Sequence, residues 1–462
     1  MERLLAALPS VHEVLRHPAF TAASAGLADP YRARLVREVI ARQRERLRGD
    51  SSAGAEPGGV AAAVVEACVR EAEALAAPFP RRVVNGTGVL IHTNLGRAPF
   101  GELVAEMDTR ALSGYSDLEW DPETQQRGNR DLPLQRQLCL LTGAEGALVV
   151  NNCASALFLA LHTLAAGREV LVSRSELVEI GGSFRVPDIM EASGCRLREV
   201  GTTNRTRPAD FERHARAGES VLLKVHQSNF VQRGFVERVE VEALVALGRR
   251  LGCPVVEDNG SGLVAGEGEA ELAGEPRVAE SLAAGVDVVC CSADKLFGGV
   301  QAGILLGRAE LIGRMRASPL YRVLRLDKVR MALLDGVLRR YLAGGAAGLP
   351  LWRLFHATPE ALEARAEALR LPGPETRWES VRRVPLRAAL GGGTNPETTF
   401  PSVGLELVHR DLSAAALRRR FAARPVPIAG YVREDRFYLD LRGFFPDDWA
   451  ELQRALDALG EG

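Results

Sequence analysis

Lys295 stands in Val286-Asp-Val-Val-Cys-Cys-Ser-Ala-Asp-Lys-Leu-Phe-Gly-Gly, where a β-branched run delivers a lysine into a turn and glycines follow it. Of the chain's 58 basic residues only Lys224, Lys295 and Lys328 are lysine. Arginine neither forms an ordinary Schiff base nor gives up its proton, whereas a lysine amine taken out of water condenses with an aldehyde cofactor. Ser292, three residues earlier, is placed to bond a cofactor phosphate, although Ser-x-x-Lys also marks acyl-serine enzymes. Asp258, in Val255-Val-Glu-Asp-Asn-Gly-Ser-Gly, closes another apolar run 37 residues before Lys295. A carboxylate there suits a pyridinium nitrogen, because it keeps the ring protonated and able to accept the electrons of a broken Cα–H bond. An isolated acid at a strand end also serves as a cap or turn. The ordered pair, acid then lysine on successive runs, points to pyridoxal phosphate.

Ala147-Leu-Val-Val-Asn-Asn-Cys-Ala-Ser-Ala-Leu reads as a strand whose end opens a helix. Free amides at a helix start bind phosphate, which makes Asn152, Cys153, Ala154 and Ser155 the expected cradle; a plain helix cap is the other reading. His226, in Lys224-Val-His-Gln-Ser-Asn, lies at a strand end and either contacts the cofactor ring or is a core histidine. Arg97, in Asn94-Leu-Gly-Arg, and Arg322 with Arg325, three apart on one helix face, are groups that grip oxyanions through paired donors. They point to an anionic co-substrate, unless they are merely surface arginines.

The elements that must position these residues are strands alternating with helices. Runs at 147–150, 169–172, 198–200, 221–225, 254–256, 286–290 and 303–306 predict a sheet buried on both faces, an α/β architecture with ligands at the carboxyl ends of the strands. A helical stretch follows at 315–342; strands at 405–408, 426–431 and 436–441 and a helix at 447–459 predict a smaller α+β domain. Before the sheet, residues 4–15 and 32–48 carry helical periodicity, a Gly/Ser/Pro-rich linker occupies 49–59, and an alanine-rich helix spans 60–76. The segment 32–48 holds Arg32, Arg34, Arg37, Arg42, Arg44, Arg46 and Arg48, either a solvated face or a phosphate-backbone surface. The domains expected are therefore 1–80, helical with its linker; 81–345, the cofactor-binding core; and 346–462, the small domain.

A net charge of −1 announces no nucleic-acid partner globally, so any such surface must be local. No apolar run approaches a membrane span and no signal-peptide core opens the chain. Seven cysteines without paired spacing read as reduced thiols of a cytoplasmic protein with no metal site.

In order along almost the whole chain stand Asn85-Gly-Thr-Gly-Val-Leu-Ile-His-Thr-Asn-Leu-Gly-Arg97, Glu176-Leu-Val-Glu-Ile-Gly-Gly-Ser-Phe-Arg185 and Val200-Gly-Thr-Thr-Asn-Arg-Thr206. Lys224-Val-His-Gln-Ser-Asn229, Ala293-Asp-Lys-Leu-Phe-Gly-Gly-Val-Gln-Ala-Gly303 and Leu439-Asp-Leu-Arg442 follow. This series resembles the bacterial selenocysteine synthases, the L-seryl-tRNA(Sec) selenium transferases. The resemblance implies a fold-type I pyridoxal-phosphate core, an N-terminal domain gripping tRNA(Sec), and a homodecamer built from dimers. It implies that Lys295 is the Schiff-base lysine with Asp294 its catalytic neighbour, and that Arg97, Arg322 and Arg325 hold selenophosphate. The implied reaction, part of selenocysteine and hence protein biosynthesis, turns seryl-tRNA(Sec) into selenocysteinyl-tRNA(Sec) by way of an aminoacrylyl-tRNA. Cys153 and Ser155 stand where asparagine and alanine are frequent in that family, and Ala293 replaces a glycine.

Two other readings bear on the same residues. A related fold-type I lyase or transferase acting on a small amino acid would share Lys295 and Asp258 but would not need the helical N-terminal segment. A non-catalytic tRNA-binding scaffold would not need Lys295 and Asp258.

Overall fold

Leu35, Val36, Val39 and Ile40 recur at helical spacing and fall on one buried face of α1 (Asp29–Arg48). That face packs with Val64, Cys68 and Ala72 of α2 (Pro57–Ala76) and with Val14 and Phe20. The computed structural model describes residues 2–49, 57–180, 184–264, 272–394 and 397–461, which fall into two units, Met1–Arg82 and Val83–Gly462. Most of the linker at 49–59 lies outside the described residues. The helix expected over 4–15 is broken into Glu2–Ala6 and Val11–Arg16. Pro9 leads into a capping box in which Ser10 and Glu13 cap each other's backbone, restarting the helix. On α1, Arg34, Arg37, Arg42, Arg44, Arg46 and Arg48 are exposed; Arg34 pairs with Glu38 and Arg42 with Glu71.

In the second unit the β-branched runs become β1 (Gly146–Val150), β2 (Glu169–Ser173), β3 (Arg196–Val200), β4 (Ser220–Val225), β5 (Val255–Asp258), β6 (Val288–Ser292) and β7 (Gly303–Gly307). They form one sheet in the order β1-β7-β6-β5-β4-β2-β3. β7 is antiparallel to both neighbours, and the remaining pairs are parallel. Alternate residues go to opposite cores: Val149, Leu222, Val255, Val289 and Ile304 to one, Leu148, Leu223, Val256, Val288 and Leu305 to the other. This is why the strands read as continuous apolar runs. The second core is closed by α3 (Cys153–Ala165) through Leu157, Leu161 and Leu164. Each such aliphatic contributes about 1.5–3 kcal/mol by leaving water.

The helix expected over 315–342 is three helices: Ala309–Ala317, α4 (Pro319–Leu324) and α5 (Lys328–Gly344). Pro319 cannot continue a helix that precedes it, and Asp327 restarts one by accepting from the N–H groups of Val329 and Arg330. Buried Leu334, Val337 and Leu338 of α5 face the first core.

Beyond α5, β8 (Trp378–Ala389), β9 (Thr399–His409), β10 (Tyr431–Arg433) and β11 (Arg436–Asp440) make an antiparallel sheet in the order β8-β9-β11-β10. It has its own core, including Trp378, Leu405, Phe421, Phe437 and Leu452. The strand expected over 426–431 is divided. Ile428–Ala429 pairs with Val84–Asn85 instead, and only Tyr431 onward joins the sheet.

Candidate active site

The tips of β4, β5 and β6 lie side by side, with Asp258 in register between Val225 and Cys290. Backbone bonds fasten these tips: His226 N donates to Asp258 O at 3.0 Å and Asn259 N to Cys290 O at 2.8 Å. Asp258 is buried, and its Oδ1 accepts from the Cys153 thiol at 3.4 Å. Burial pushes the carboxyl above its ordinary range, while the Cys153 bond, the Lys295 charge and the Gly260 N–H pull the other way.

Lys295 follows β6 and is buried. The three lysines separate cleanly. Lys224 Nζ donates to Glu176 Oε1 at 2.6 Å and to Val239 O at 2.9 Å, and Lys328 Nζ donates to Gly114 O at 3.1 Å. Among the described residues no hydrogen bond or ion pair engages the Lys295 amine. It points at two glycines: a Cβ on Gly260 would lie 3.8 Å from Nζ, and one on Gly393, only 2.3 Å. Gly393, at φ +90°, is a wall of the site that local sequence pattern does not reveal. Its signal is the run Gly391-Gly-Gly-Thr394, far along the chain from Lys295.

His226, just past the tip of β4, feels the lysine's charge. Burial first, then the charges of Lys295, Lys224 and Arg238, lower its pKa to about 4, so the ring is neutral at neutral pH. Its Nδ1 is buried without a hydrogen bond among the described residues and stands 3.8 Å from Glu275 Oε1.

α3 begins at the tip of β1. Asn152 Oδ1 caps it by accepting from Ser155 N at 2.8 Å, and the N–H groups of Cys153 and Ala154 remain at the helix's open end. The structure thus gives Cys153 two faces, an amide at the helix start and a thiol on Asp258.

Ser292, expected at a cofactor phosphate, is engaged elsewhere: its hydroxyl donates to Asp294 Oδ1 at 2.6 Å. Ser292 ends β6 and Asp294 lies in the turn that follows, so the two side chains meet locally. The other Asp294 oxygen accepts from Arg97 Nη1 at 2.7 Å. Arg97 takes φ +63°, in the left-handed region that a side chain disfavours, and this strained turn is the sort of backbone that collects at functional sites.

The three expected anion-binding arginines are not joined to one another by any hydrogen bond or shared partner among the described residues. Arg97 is on Asp294, Arg325 Nη1 stands 3.4 Å from Glu119 Oε1, and Arg322 is exposed on α4. What binds this segment to the site is backbone: Asn151 N donates to Leu324 O at 2.9 Å. The residue before Arg325 is thereby fastened just past the tip of β1, two residues before α3 begins.

A family model described as L-seryl-tRNA selenium transferase matches residues 83–445. An L-seryl-tRNA(Sec) selenium transferase of Geobacter metallireducens is 44% identical over 388 residues, 82% of this chain and 83% of that one. Another, of Aquifex aeolicus, is 38% identical over 467 residues, 99% of each chain. Among solved structures, D-glucosaminate-6-phosphate ammonia-lyase superposes with a TM-score of 0.57 at 18% identity, covering 84% of this chain and 98% of that one; the likeness is one of fold.

Proposed function

The chain belongs to the L-seryl-tRNA selenium transferase family, and we propose that it converts seryl-tRNA(Sec) to selenocysteinyl-tRNA(Sec) with selenophosphate as the selenium donor. The observation that carries the reading at the site is Lys295: buried, without a hydrogen-bond or ion-pair partner among the described residues, and beside Asp258.

The residues present fit pyridoxal phosphate. His226 offers a buried nitrogen with no hydrogen bond among the described residues, the open end of α3 offers amides, and Gly393 leaves space at the lysine amine that a Cβ would fill. When bound, pyridoxal phosphate supplies an aldehyde that joins an amine and a protonated ring that takes up electrons from a broken bond at Cα. Asn152, Cys153, Ala154 and Ser155 would hold the phosphate at the start of α3, and Asp258 would hold a proton at the ring nitrogen. Lys295 would hold the aldehyde, and its amine, when free of it, would take the serine Cα proton. Asp294, clamped by Ser292 and Arg97, is the neighbouring catalytic acid. Arg97, Arg322 and Arg325 hold the donor's phosphate. The serine hydroxyl would leave as water, selenium would bond to Cβ while the Lys295 amine returns the proton to Cα, and water would take the phosphoryl group as the selenium–phosphorus bond breaks, releasing phosphate.

The substrate is an ester, so no free α-carboxylate has to be clamped. On the N-terminal unit, Arg37, Arg44, Arg46 and Arg48 are exposed and form no ion pair among the described residues, and they contact the tRNA backbone in this reading. Domain limits of 1–80, 81–345 and 346–462, a homodecamer built from dimers, and a cytoplasmic location belong to the same proposal. No helix among the described residues is long and apolar enough to cross a membrane. The small-amino-acid alternative is not favoured: Aquifex aeolicus' transferase matches 99% of the chain, N-terminal unit included.

The test is to incubate the protein with pyridoxal phosphate, seryl-tRNA(Sec) and selenophosphate and to identify the recovered aminoacyl group by mass. Selenocysteine is expected. Serine returned unchanged, with turnover of a small amino acid instead, would replace this reading by the alternative.

A further inference from the structure

One carboxylate, Glu119, gathers three guanidiniums. Its Oε2 accepts from Arg127 Nη2 at 2.7 Å, and its Oε1 from Arg130 Nη1 at 3.0 Å, with Arg325 Nη1 3.4 Å from the same oxygen. The residue sits just before a short hairpin, Trp120–Asp121 with Gln126–Arg127, well away in sequence from α4. Partial burial works against ionisation of Glu119, yet Arg127, Arg325 and Arg130 hold its carboxyl below the usual range.

The three arginines are not held alike. The Arg130 side chain is 11% exposed and also donates to Leu326 O, so it is a fixed strut. Arg127 is 70% exposed and turned to solvent. Arg325 makes no polar contact among the described residues except the 3.4 Å approach to Glu119, the longest of the three. It lies next to the Leu324 carbonyl fastened to Asn151, and so beside the open end of α3. The cluster carries one negative charge against three positive ones, and its acceptor is a pair of oxygens, which a phosphate-type oxyanion presents as well.

We infer that Glu119 is a positioning residue that stands in for the anionic donor: it keeps Arg325 aligned in the resting enzyme and yields that guanidinium when an oxyanion arrives. The inference rests on the proposed role of Arg325. Arg130 and Arg127 keep the Glu119 carboxylate satisfied after Arg325 has changed partner, so the exchange strands no charge.

Inorganic phosphate is the probe, titrated by calorimetry into the enzyme saturated with pyridoxal phosphate so that the cofactor's own phosphate site is filled. Glu119→Gln removes the competing charge, and phosphate binds about threefold to fivefold more tightly, the range an exposed ion pair allows. With the selenium donor, KM falls by a similar factor and kcat falls too, because Arg325 is no longer held in line. A purely structural role would not tighten phosphate. Should Glu119→Gln fold poorly, Glu119→Asp retains the charge and retreats by one methylene, releasing Arg325, the most distant of the three at 3.4 Å, before the others, and phosphate again tightens. Unchanged phosphate affinity in the Glu119 variants, with phosphate weakened by Arg325→Gln, would overturn this inference and leave the anion site standing. Unchanged affinity in Arg325→Gln as well would overturn the anion site and this inference together.

Discussion

A single methyl group at position 393 tests whether the lysine amine is where the geometry places it. In Gly393→Ala the new Cβ lies 2.3 Å from Lys295 Nζ, 2.6 Å from Cε and 2.9 Å from Cδ. Two effects follow. Alanine at φ +90° carries a left-handed backbone penalty of roughly 1–2 kcal/mol. The amine must also retreat from 2.3 Å to the 3.4 Å of ordinary contact, about 1 Å, and a misplacement of that size costs on the order of 10² in rate. The lysine is flexible, so the fold survives and chemistry bears the larger loss. Gly392→Ala is the control, because its Cβ would meet only Thr93 Oγ1, at 3.4 Å. The assay pairs single-turnover conversion of seryl-tRNA with absorbance of the bound cofactor. Gly393→Ala loses about two orders of magnitude in rate while Gly392→Ala stays close to wild type. Equal rates and equal cofactor bands in both variants would refute the placement of Lys295 against this loop.

His226 should make stability fall on the acid side. Its folded pKa, about 4, lies below its unfolded value near 6.5, so the unfolded chain binds the extra proton first. The stabilisation is complete above pH 6.5 and is lost as pH falls toward 4. Between pH 7 and pH 5 the wild type loses about 2 kcal/mol more than His226→Asn in denaturant titrations; identical losses would contradict the burial of a neutral ring. Arg442, buried, donates to the carbonyls of Leu354, Phe355 and Ala357 at 2.8, 2.9 and 2.6 Å, and to Pro401. Arg442→Met strands those buried carbonyls, and should lower unfolding free energy by about 3 kcal/mol or more, at roughly 1–3 kcal/mol for each buried acceptor left unmade. Replacing Arg37, Arg44, Arg46 and Arg48 by glutamine should weaken tRNA binding. It should also reduce its log–log salt slope by roughly one for each phosphate no longer neutralised, leaving cofactor absorbance unchanged.

The parts of the site legible in the sequence were those built within one strand and its following turn. Asp258 ends an apolar run, Lys295 follows another, and Asn152 opens a helix after a third, so local pattern located each. The parts that escaped depend on distant segments meeting. Gly393 reaches Lys295 from the loop between β8 and β9, and Glu119 reaches Arg325 from a hairpin, with nothing in either local pattern to announce the partner. Ser292 shows the opposite limit: the sequence pattern points it to a phosphate, while in the structure its hydroxyl donates to Asp294, two residues on. In the fold, β8 was missed because Trp-Glu-Ser-Val-Arg-Arg-Val-Pro-Leu-Arg mixes arginines with Pro385; the strand tolerates both because it lies at the sheet's edge. Likewise, 315–342 has helical periodicity throughout, and Pro319 and Asp327 divide it by local backbone chemistry that periodicity does not register.

The central claim is that Lys295, and neither Lys224 nor Lys328, carries the cofactor. Reducing the enzyme–cofactor complex with borohydride makes that linkage permanent, and digestion followed by mass spectrometry locates it. A pyridoxyl phosphate group is expected on the peptide containing Lys295 and none on the other two lysines. A group on Lys224, whose amine is held by Glu176, or on Lys328, or on no lysine, would contradict it.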